Sequence, residues 1–588
     1  MAAMNSPTHS ATSAISDRNR VKYALVWTLV ALLLFLIYFV TAFSTLAPSV
    51  DGCSYATMAR SFIRGNGMAP DWVFPINLAR APQDHPAEPF NYRGNTPAML
   101  WPLLIAVFFL LLGVADTSVV LAAGACFVAA VPFVYLAADR LFGKRAAHLA
   151  AGLFVLNNTL LGYTTRGLSE PLFVALLAGA VYFAVSNARL SPLLFAVFAT
   201  GMVLAKQTGI LWALPLVLLF AVHDKHRWAK GAAAVALTLV LVLAGNGLLH
   251  AVTTPLRKIE PRVRASEPAF ITQADAPAPV ETPEKPESKS SWLVQKLASS
   301  PLGLTMLLHS AKFPEHALAR GTERPEVDQV LAEEMDFFLL RAKINLRMIA
   351  ESLFWKMTNP LVVALFWGGV IVAFVRKQHR IVMIAFLVSI GAAAVPHVMT
   401  FAWERYFHPA ILLYILVASY CADTALARIR ADRARQIAAV ALVITASLPL
   451  GFAVGILPPS PISGGPAAFA PEGDRDYFET LGAFINDQTK PGDIIATDMY
   501  TMVSWYGDRM TVWIPTDETQ LRKLLGKANI DYLLFTFRSA KVNNHYWYDW
   551  MKSLPERKEE GIEFVQGAPT ASGPIYLWKT GITYTNQP

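Results

Sequence analysis

The amino-acid sequence predicts a mainly α-helical, polytopic membrane bundle with a small external α/β domain at its carboxy-terminal end. Three observations predict it. Of 588 residues, 54% are hydrophobic and 16% charged, and the mean hydropathy is +0.40, a balance far more apolar than that of soluble domains. Apolar runs such as 23–46, 229–249 and 436–457 reach the roughly 20 residues that a helix needs to cross a bilayer. From residue 458 onward the composition changes to that of a soluble unit in which short apolar strands alternate with helical periodicity.

Residues 1–22 are polar and end in Arg18, Arg20 and Lys22. No small-residue cleavage site follows a short apolar core, so 23–46 is expected to be a retained anchor. Further basic clusters stand in short loops at Arg140/Lys144/Arg145, Arg189, Lys225/Arg227/Lys230, Arg376/Lys377/Arg380 and Arg428/Arg430/Arg433/Arg435. Placing all of them on the cytoplasmic face gives about eleven spans: 23–46, 119–138, 147–163, 171–187, 190–205, 208–222, 229–250, 359–375, 381–399, 408–422 and 436–457. The net charge of +8 is thereby assigned to topology and not to nucleic acid. The amino terminus is expected inside, the carboxy-terminal domain outside.

Residues 47–118 form the first external loop. Within it 97–113 is apolar, yet parity needs both of its ends outside, so it is expected to be an interfacial or re-entrant helix; the alternative is a true span with another helix miscounted. A second external insertion covers 251–358. Its 253–291 portion, rich in Pro, Glu, Lys and Ala, is expected to be a flexible linker. The 292–357 portion has apolar spacings, Leu304/Met306/Leu307 and Phe337–Leu340, that suggest surface helices. The transmembrane unit thus runs 23–457 and the soluble unit 458–588. In the latter, Tyr477, Leu481, Phe484 and Ile485 share a helical face. Asp493–Thr497, Met510–Ile514 and Tyr532–Phe537 read as buried strands and Gln520–Ala528 as a helix. The three cysteines, Cys53, Cys126 and Cys421, imply no disulfide framework.

Chemistry-bearing residues stand at the outer ends of these spans. Asp51 follows the first span in Ser49-Val50-Asp51-Gly52-Cys53-Ser54-Tyr55, continued by Met58-Ala59-Arg60. An acid at that depth can meet one substrate from water and another from lipid. Arg166 and Glu170 lie in Tyr163-Thr164-Thr165-Arg166-Gly167-Leu168-Ser169-Glu170-Pro171 and read either as a substrate-handling pair or as an interfacial ion pair. Lys206 is flanked by apolar sequence. A lysine at the bilayer centre costs roughly 2.5–3.5 kcal/mol, so it is expected either to contact a lipid phosphate at the external side or to snorkel to the surface. Phe401-Ala402-Trp403-Glu404-Arg405-Tyr406-Phe407-His408-Pro409 supplies an arginine whose planar fork suits a phosphate, with Glu404 as a competing neutralising partner. Arg93 precedes Pro97. Asp84 and His85 have no further ligands at metal spacing, so no zinc site is expected. No Gly-rich phosphate loop is present.

The spacing of Asp51, Tyr55, Ala59 and Arg60 resembles the first external loop of GT-C integral-membrane glycosyltransferases, in particular the family 39-like protein O-mannosyltransferases and lipid A aminoarabinose transferases. The Arg166…Glu170 and Arg405-Tyr406…Pro409 segments resemble a second loop and a late re-entering helix of the same superfamily. The resemblance implies a GT-C fold and an inverting transferase. Such an enzyme moves a sugar from a polyprenyl-phosphate donor to a glycan, lipid or protein acceptor at the periplasmic face of a bacterial inner membrane. It implies Asp51 as base with Glu170 assisting; Arg405, Lys206, Arg93 and Arg166 as donor-phosphate ligands; and Tyr55, Arg60, Tyr406 and His408 in support. Gly52 departs from the pattern, since relatives often place a second acid there, which weakens any inference of a bound metal. No cofactor is expected, with a divalent metal left open, and the partners are donor, acceptor and membrane lipid. The alternative is a transporter or glycolipid-recognition protein without chemistry. That alternative predicts midplane charges and repeat symmetry, whereas the charges here cluster at one face and no repeat is evident.

Overall fold

In a computed structural model of the chain the described residues are 8–43, 45–46, 49–73, 99–222, 228–253, 335–356, 358–399, 404–447, 474–515, 518–527, 530–536, 562–568 and 575–580. Helices α1 (Thr8–Ala42), α2 (Val50–Ile63), α3 (Leu100–Leu112), α4 (Asp116–Phe142), α5 (Lys144–Val155), α6 (Asn158–Thr164), α7 (Glu170–Val185), α8 (Ser191–Ala205), α9 (Gly209–Leu216) and α10 (Trp228–Thr253) make up the first part. The second part holds α11 (Met335–Glu351), α12 (Pro360–Val375), α13 (Arg380–Met399), α14 (Ala410–Leu426) and α15 (Asp432–Ser447).

Each predicted span coincides with a helix or a pair of helices, the last being described only as far as Ser447. The chain is an integral membrane protein. Among the described residues, Asn19–Ala42, Asp116–Phe142, Trp228–Leu249 and Arg380–Val398 are long and apolar enough to cross a bilayer. Helices α7, α8, α12 and α14 are apolar but shorter. The predicted 147–163 span is broken. Asn157 caps α6 by accepting a hydrogen bond from the Leu160 backbone N–H at 3.0 Å, and its amide donates to Thr358 Oγ1 at 3.1 Å. A cap inside an apolar run satisfies the donors freed by the break.

Close helix contacts depend on small residues, as expected where lipid supplies no hydrophobic drive between helices. A Cβ on Gly124 of α4 would lie 2.0 Å from the Phe35 ring of α1, so the ring fills the place of a side chain. Likewise a Cβ on Gly369 of α12 would lie 2.7 Å from Val417 of α14, and beside it Phe366 stacks on Tyr414. Helix α3 has 13 residues, about 20 Å of helix, too short for a hydrocarbon core of about 30 Å. One edge (Trp101, Ile105, Phe109) is buried and the other (Val107, Leu110, Leu111) is exposed, as suits a helix at an interface.

The carboxy-terminal unit has helices α16 (Asp474–Gln488), α17 (Tyr500–Gly507) and α18 (Glu518–Lys527) around a six-stranded sheet. Its strands are β1 (Trp72–Val73), β2 (Ile494–Thr497), β3 (Met510–Trp513), β4 (Tyr532–Thr536), β5 (Ile562–Ala568) and β6 (Ile575–Thr580), in the order β1-β3-β2-β4-β6-β5. The first four are parallel neighbours; β4, β6 and β5 are antiparallel. The sheet departs from the sequence reading in one respect that matters. It is not confined to residues after 458, because β1 comes from the first loop and pairs with β3 in the register Trp72↔Thr511. The α17 helix and strands β5 and β6 are likewise additions to the predicted elements. Arg93, Asp84, His85 and the 254–291 portion of the linker lie outside the described residues.

Candidate active site

Asp51 sits in the first turn of α2, where the helix dipole favours a carboxylate. Ser49 caps that helix, its hydroxyl accepting from the Gly52 N–H at 2.9 Å. Gly52 is required by what lies next to it: a Cβ there would stand 2.3 Å from the Arg166 carbonyl oxygen. The loop between α6 and α7 therefore packs directly against the start of α2. This contact accounts for a glycine directly after Asp51. Gly167 in the same loop has φ +63°, and its carbonyl accepts from the Trp101 indole N–H at 3.0 Å.

That loop leads into Glu170, the first residue of α7. Opposite it, α8 ends at Ala205 and Lys206 adopts an extended conformation as the C-cap. The turn closes through the Gly209 N–H to the Lys206 carbonyl at 2.7 Å, and a Cβ on Gly209 would lie 2.4 Å from the Met202 backbone. Lys206 is thus held at a helix break, and its Nζ lies 2.7 Å from Glu170 Oε1. The sequence reading weighs lipid phosphate against snorkelling for this lysine; the partner in the structure is a carboxylate that it does not pair with it. Arg166, the sequence candidate for pairing with Glu170, is not the residue that makes this bridge.

Arg405 lies on the 3₁₀ turn Glu404–Phe407 between α13 and α14. Its Nη1 is 2.6 Å from Asp51 Oδ2. Around it, His397 stacks on Tyr406 with centroids 4.6 Å apart, and buried His408 hydrogen bonds to the Tyr163 hydroxyl. These contacts tie the 3₁₀ turn to α13 and α6. The four charged groups therefore converge as two ion pairs, Asp51–Arg405 and Glu170–Lys206, from four separate stretches of chain. Tyr55, one turn after Asp51, lies within electrostatic reach of Asp51, Glu170 and Arg405. Burial, then the two carboxylates, raise its hydroxyl well above the usual range, so it stays a neutral donor.

The pairs differ in accessibility. The Asp51 and Arg405 side chains are 35% and 27% exposed, whereas Glu170 is 4% exposed. A substrate can reach Asp51 and Arg405; Glu170 can act only through its neighbours. Among the described residues no three His, Cys, Asp or Glu side chains converge as a metal site.

Arg60 does not join this cluster. It points the other way, into the carboxy-terminal unit, donating to the Ser504 and Trp505 carbonyls at 2.7 and 2.8 Å and pairing with Asp71 at 3.0 Å and Asp508 at 3.2 Å. Burial raises the Asp71 carboxyl, an effect that the Arg60 charge opposes. Burial also works on Asp508, but hydrogen bonds from Arg64 and the Arg60 charge outweigh it and hold that carboxyl below its usual range. The sequence reading assigned no role to Asp116, Tyr163, Trp505 or Tyr506. Asp116 accepts hydrogen bonds from the Leu46 N–H, the Trp505 indole and the Tyr506 hydroxyl, and Thr45 Oγ1 lies 3.2 Å from the same carboxylate. Its sequence signal, an acid in a first helical turn, is that of any ordinary helix start.

The family model for dolichyl-phosphate-mannose-protein mannosyltransferases matches residues 95–246. Among solved structures, the archaeal oligosaccharyltransferase AglB from Archaeoglobus fulgidus, in complex with an inhibitory peptide and a dolichol-phosphate, is similar at a TM-score of 0.50 and 12% identity, covering 94% of this chain and 74% of that one. ArnT from Cupriavidus metallidurans, bound to undecaprenyl phosphate, is similar at a TM-score of 0.48 and 11% identity, covering 96% and 99%. No curated protein matches the sequence.

Proposed function

We propose, from the premise that this chain has the GT-C membrane-transferase fold, that it transfers a sugar from a polyprenyl-phosphate donor to an acceptor hydroxyl with inversion at the anomeric carbon. The observation that carries this reading is the Asp51–Arg405 pair, an accessible carboxylate against an accessible guanidinium, which suits a base beside a phosphate-binding cation. The match to the mannosyltransferase model and the dolichol-phosphate held by AglB support the class of donor.

In the proposed step the acceptor oxygen attacks the anomeric carbon while the bond from that carbon to the phosphate oxygen breaks. The acceptor proton passes to Asp51. The donor phosphate, a singly charged diester, leaves as a monoester with a second negative charge. Arg405 offsets that charge, with Lys206, Arg166 and Arg93 as further cations. A phosphate arriving at Arg405 loosens its hold on Asp51, so donor binding frees the base that the reaction needs. Glu170 fixes Lys206, and Tyr55, Tyr406 and His408 hold the groups around it. The amino terminus is proposed to be cytoplasmic, and Asp51 and the sheet to face the periplasm of a bacterial inner membrane. The acceptor is a glycan, a lipid or a protein.

The test uses the purified full-length chain in liposomes, a panel of radiolabelled undecaprenyl-phosphate sugars, and bacterial membranes as the acceptor source. Release of undecaprenyl phosphate from at least one donor, lost in Asp51→Asn, is the expected result. Release that is the same in wild type and Asp51→Asn, or none from any donor, would overturn the reading.

A further inference from the structure

Asp51 and Arg405 are held by different parts of the molecule. Arg405 hangs from the membrane bundle through the His397–Tyr406 stack and the Tyr163–His408 hydrogen bond. The helix that carries Asp51 is gripped at both ends by three consecutive residues of α17, in the carboxy-terminal unit.

At the far end of α2, Arg60 donates to the Ser504 and Trp505 carbonyls, and its guanidinium lies 5.1 Å over the Trp505 ring. At the near end, the Trp505 indole N–H donates to Asp116 Oδ1 at 2.6 Å and the Tyr506 hydroxyl to Asp116 Oδ2 at 2.8 Å. Asp116 Oδ2 also accepts from the Leu46 N–H at 2.9 Å, fixing the chain just before α2 begins. With the Tyr506 proton donated to Asp116, the Thr45 hydroxyl donates to the Tyr506 oxygen at 2.6 Å. Midway along α2, Ser54 Oγ accepts from the indole of Trp72, the residue that opens β1. The Ser504 hydroxyl donates to the Asp71 carbonyl at 3.0 Å, and Trp505 stacks on Phe109 of α3.

We infer that Ser504-Trp505-Tyr506, acting through Arg60 and Asp116, is a positioning device that sets where Asp51 stands relative to Arg405. Nine positions separate Arg60 from Asp51 on one helix, about 13 Å along its axis, so Arg60 acts through the helix as a rigid body and touches no reacting atom. The arrangement makes alignment of the base depend on the seating of the carboxy-terminal unit. Engagement of an acceptor on that unit is then transmitted to Asp51 while the phosphate-binding cation stays fixed in the bundle. The inference rests on the reading of Asp51 as the base.

The experiment uses the full-length protein in detergent, with undecaprenyl phosphate as binding probe and the donor-release assay for turnover. Three variants are compared: Arg60→Gln, Arg60→Lys and Trp505→Phe, the last keeping the ring on Phe109 and the backbone carbonyl for Arg60. Hydrogen exchange of peptides covering 50–63 is expected to quicken by about tenfold or more in Arg60→Gln and Trp505→Phe. Turnover is expected to fall by about ten- to a hundredfold, as a misplacement on the ångström scale would cause. Donor KM and the Kd for undecaprenyl phosphate stay within about twofold of wild type. Arg60→Lys, which keeps the charge but cannot span both carbonyls and Asp71 at once, is expected to lie between wild type and Arg60→Gln in exchange and turnover.

Unchanged exchange over 50–63 in both disruptive variants overturns the inference. So does a parallel loss of turnover, donor affinity and probe binding, which marks general damage. If the wild-type chain releases no donor at all, the transferase reading falls, and the exchange data alone still decide whether α17 holds the helix. Should Arg60→Gln fail to fold, Trp505→Phe carries the same comparison.

Discussion

Arg405 Nη1 lies 2.6 Å from Asp51 Oδ2, so the cation best suited to a phosphate and the acid best placed as a base neutralise one another in the free protein. The pair is a competition as well as a contact. Any anion that draws on the Arg405 fork weakens the charge that steadies the Asp51 carboxylate. In the proposed reaction, donor binding and release of the base are then one event.

Asp51→Asn removes the base with little change of shape, and turnover is expected to fall by roughly 10²–10⁴-fold. The same change removes the Asp51 charge from beside Arg405. Binding of undecaprenyl phosphate is therefore expected to be as tight as in wild type or tighter. Isothermal titration with the lipid in micelles, beside the release assay, reads both. Turnover within a few-fold of wild type would move the base elsewhere, and weakened lipid binding would contradict the competition.

Arg405→Lys substitutes a point charge for a planar fork. The variant is expected to raise the apparent KM for the lipid donor several-fold more than that for the acceptor. Equal changes in both constants, or none, would make Arg405 a structural partner of Asp51 and no more.

Lys206→Met strips Glu170, 4% exposed, of its bridge partner and leaves a buried carboxylate with the Arg405 charge alone to offset it. Breaking a buried pair costs roughly 3–5 kcal/mol, so thermal unfolding in detergent is expected to shift clearly downward. Glu170→Gln combined with Lys206→Met is expected to recover a large part of that loss. A double variant no more stable than the worse single one would show that the two residues do not act as a pair.

Much of this architecture is legible in the sequence because hydrophobic length and basic loops are local signals. So are the charges next to apolar runs: Asp51, Glu170, Lys206 and Arg405 are all visible as expensive residues in an apolar setting. Their pairing is not visible, since Lys206 meets Glu170 at the break after Ala205, where Gly209 lets the chain fold back against the Met202 backbone. The Asn157 break is hidden for a different reason: the run around it is apolar on both sides, and only the cap reveals it. The two-residue strand β1 has no periodicity to detect, and its partner β3 is far away in the chain. Arg60 shows the limit of motif reasoning. Its spacing from Asp51 resembles that of a site residue, but nine positions along a helix carry it to the other end and into the carboxy-terminal unit.

Sidedness is the prediction on which the proposed chemistry depends most. The pairing of β1 with β3 joins the first loop to the carboxy-terminal sheet, so both must lie on one side of the membrane, whichever side that is. The basic loop at Arg376–Arg380 is expected on the other side, because Lys and Arg in short loops are retained in the cytoplasm. Cys53, Cys126 and Cys421 are first replaced by alanine. Single cysteines at Asn66, Lys490 and Lys377 are then labelled with an impermeant maleimide in spheroplasts. Asn66→Cys and Lys490→Cys are expected to label in intact spheroplasts, and Lys377→Cys only after the membrane is opened. Labelling of Lys377→Cys together with Lys490→Cys would mean that the helices between them cross the membrane a different number of times than proposed. Labelling of Asn66→Cys and Lys490→Cys only after lysis would put Asp51 in the cytoplasm. Nucleotide sugars are available there, and the case for a lipid-linked donor would lose its topological basis.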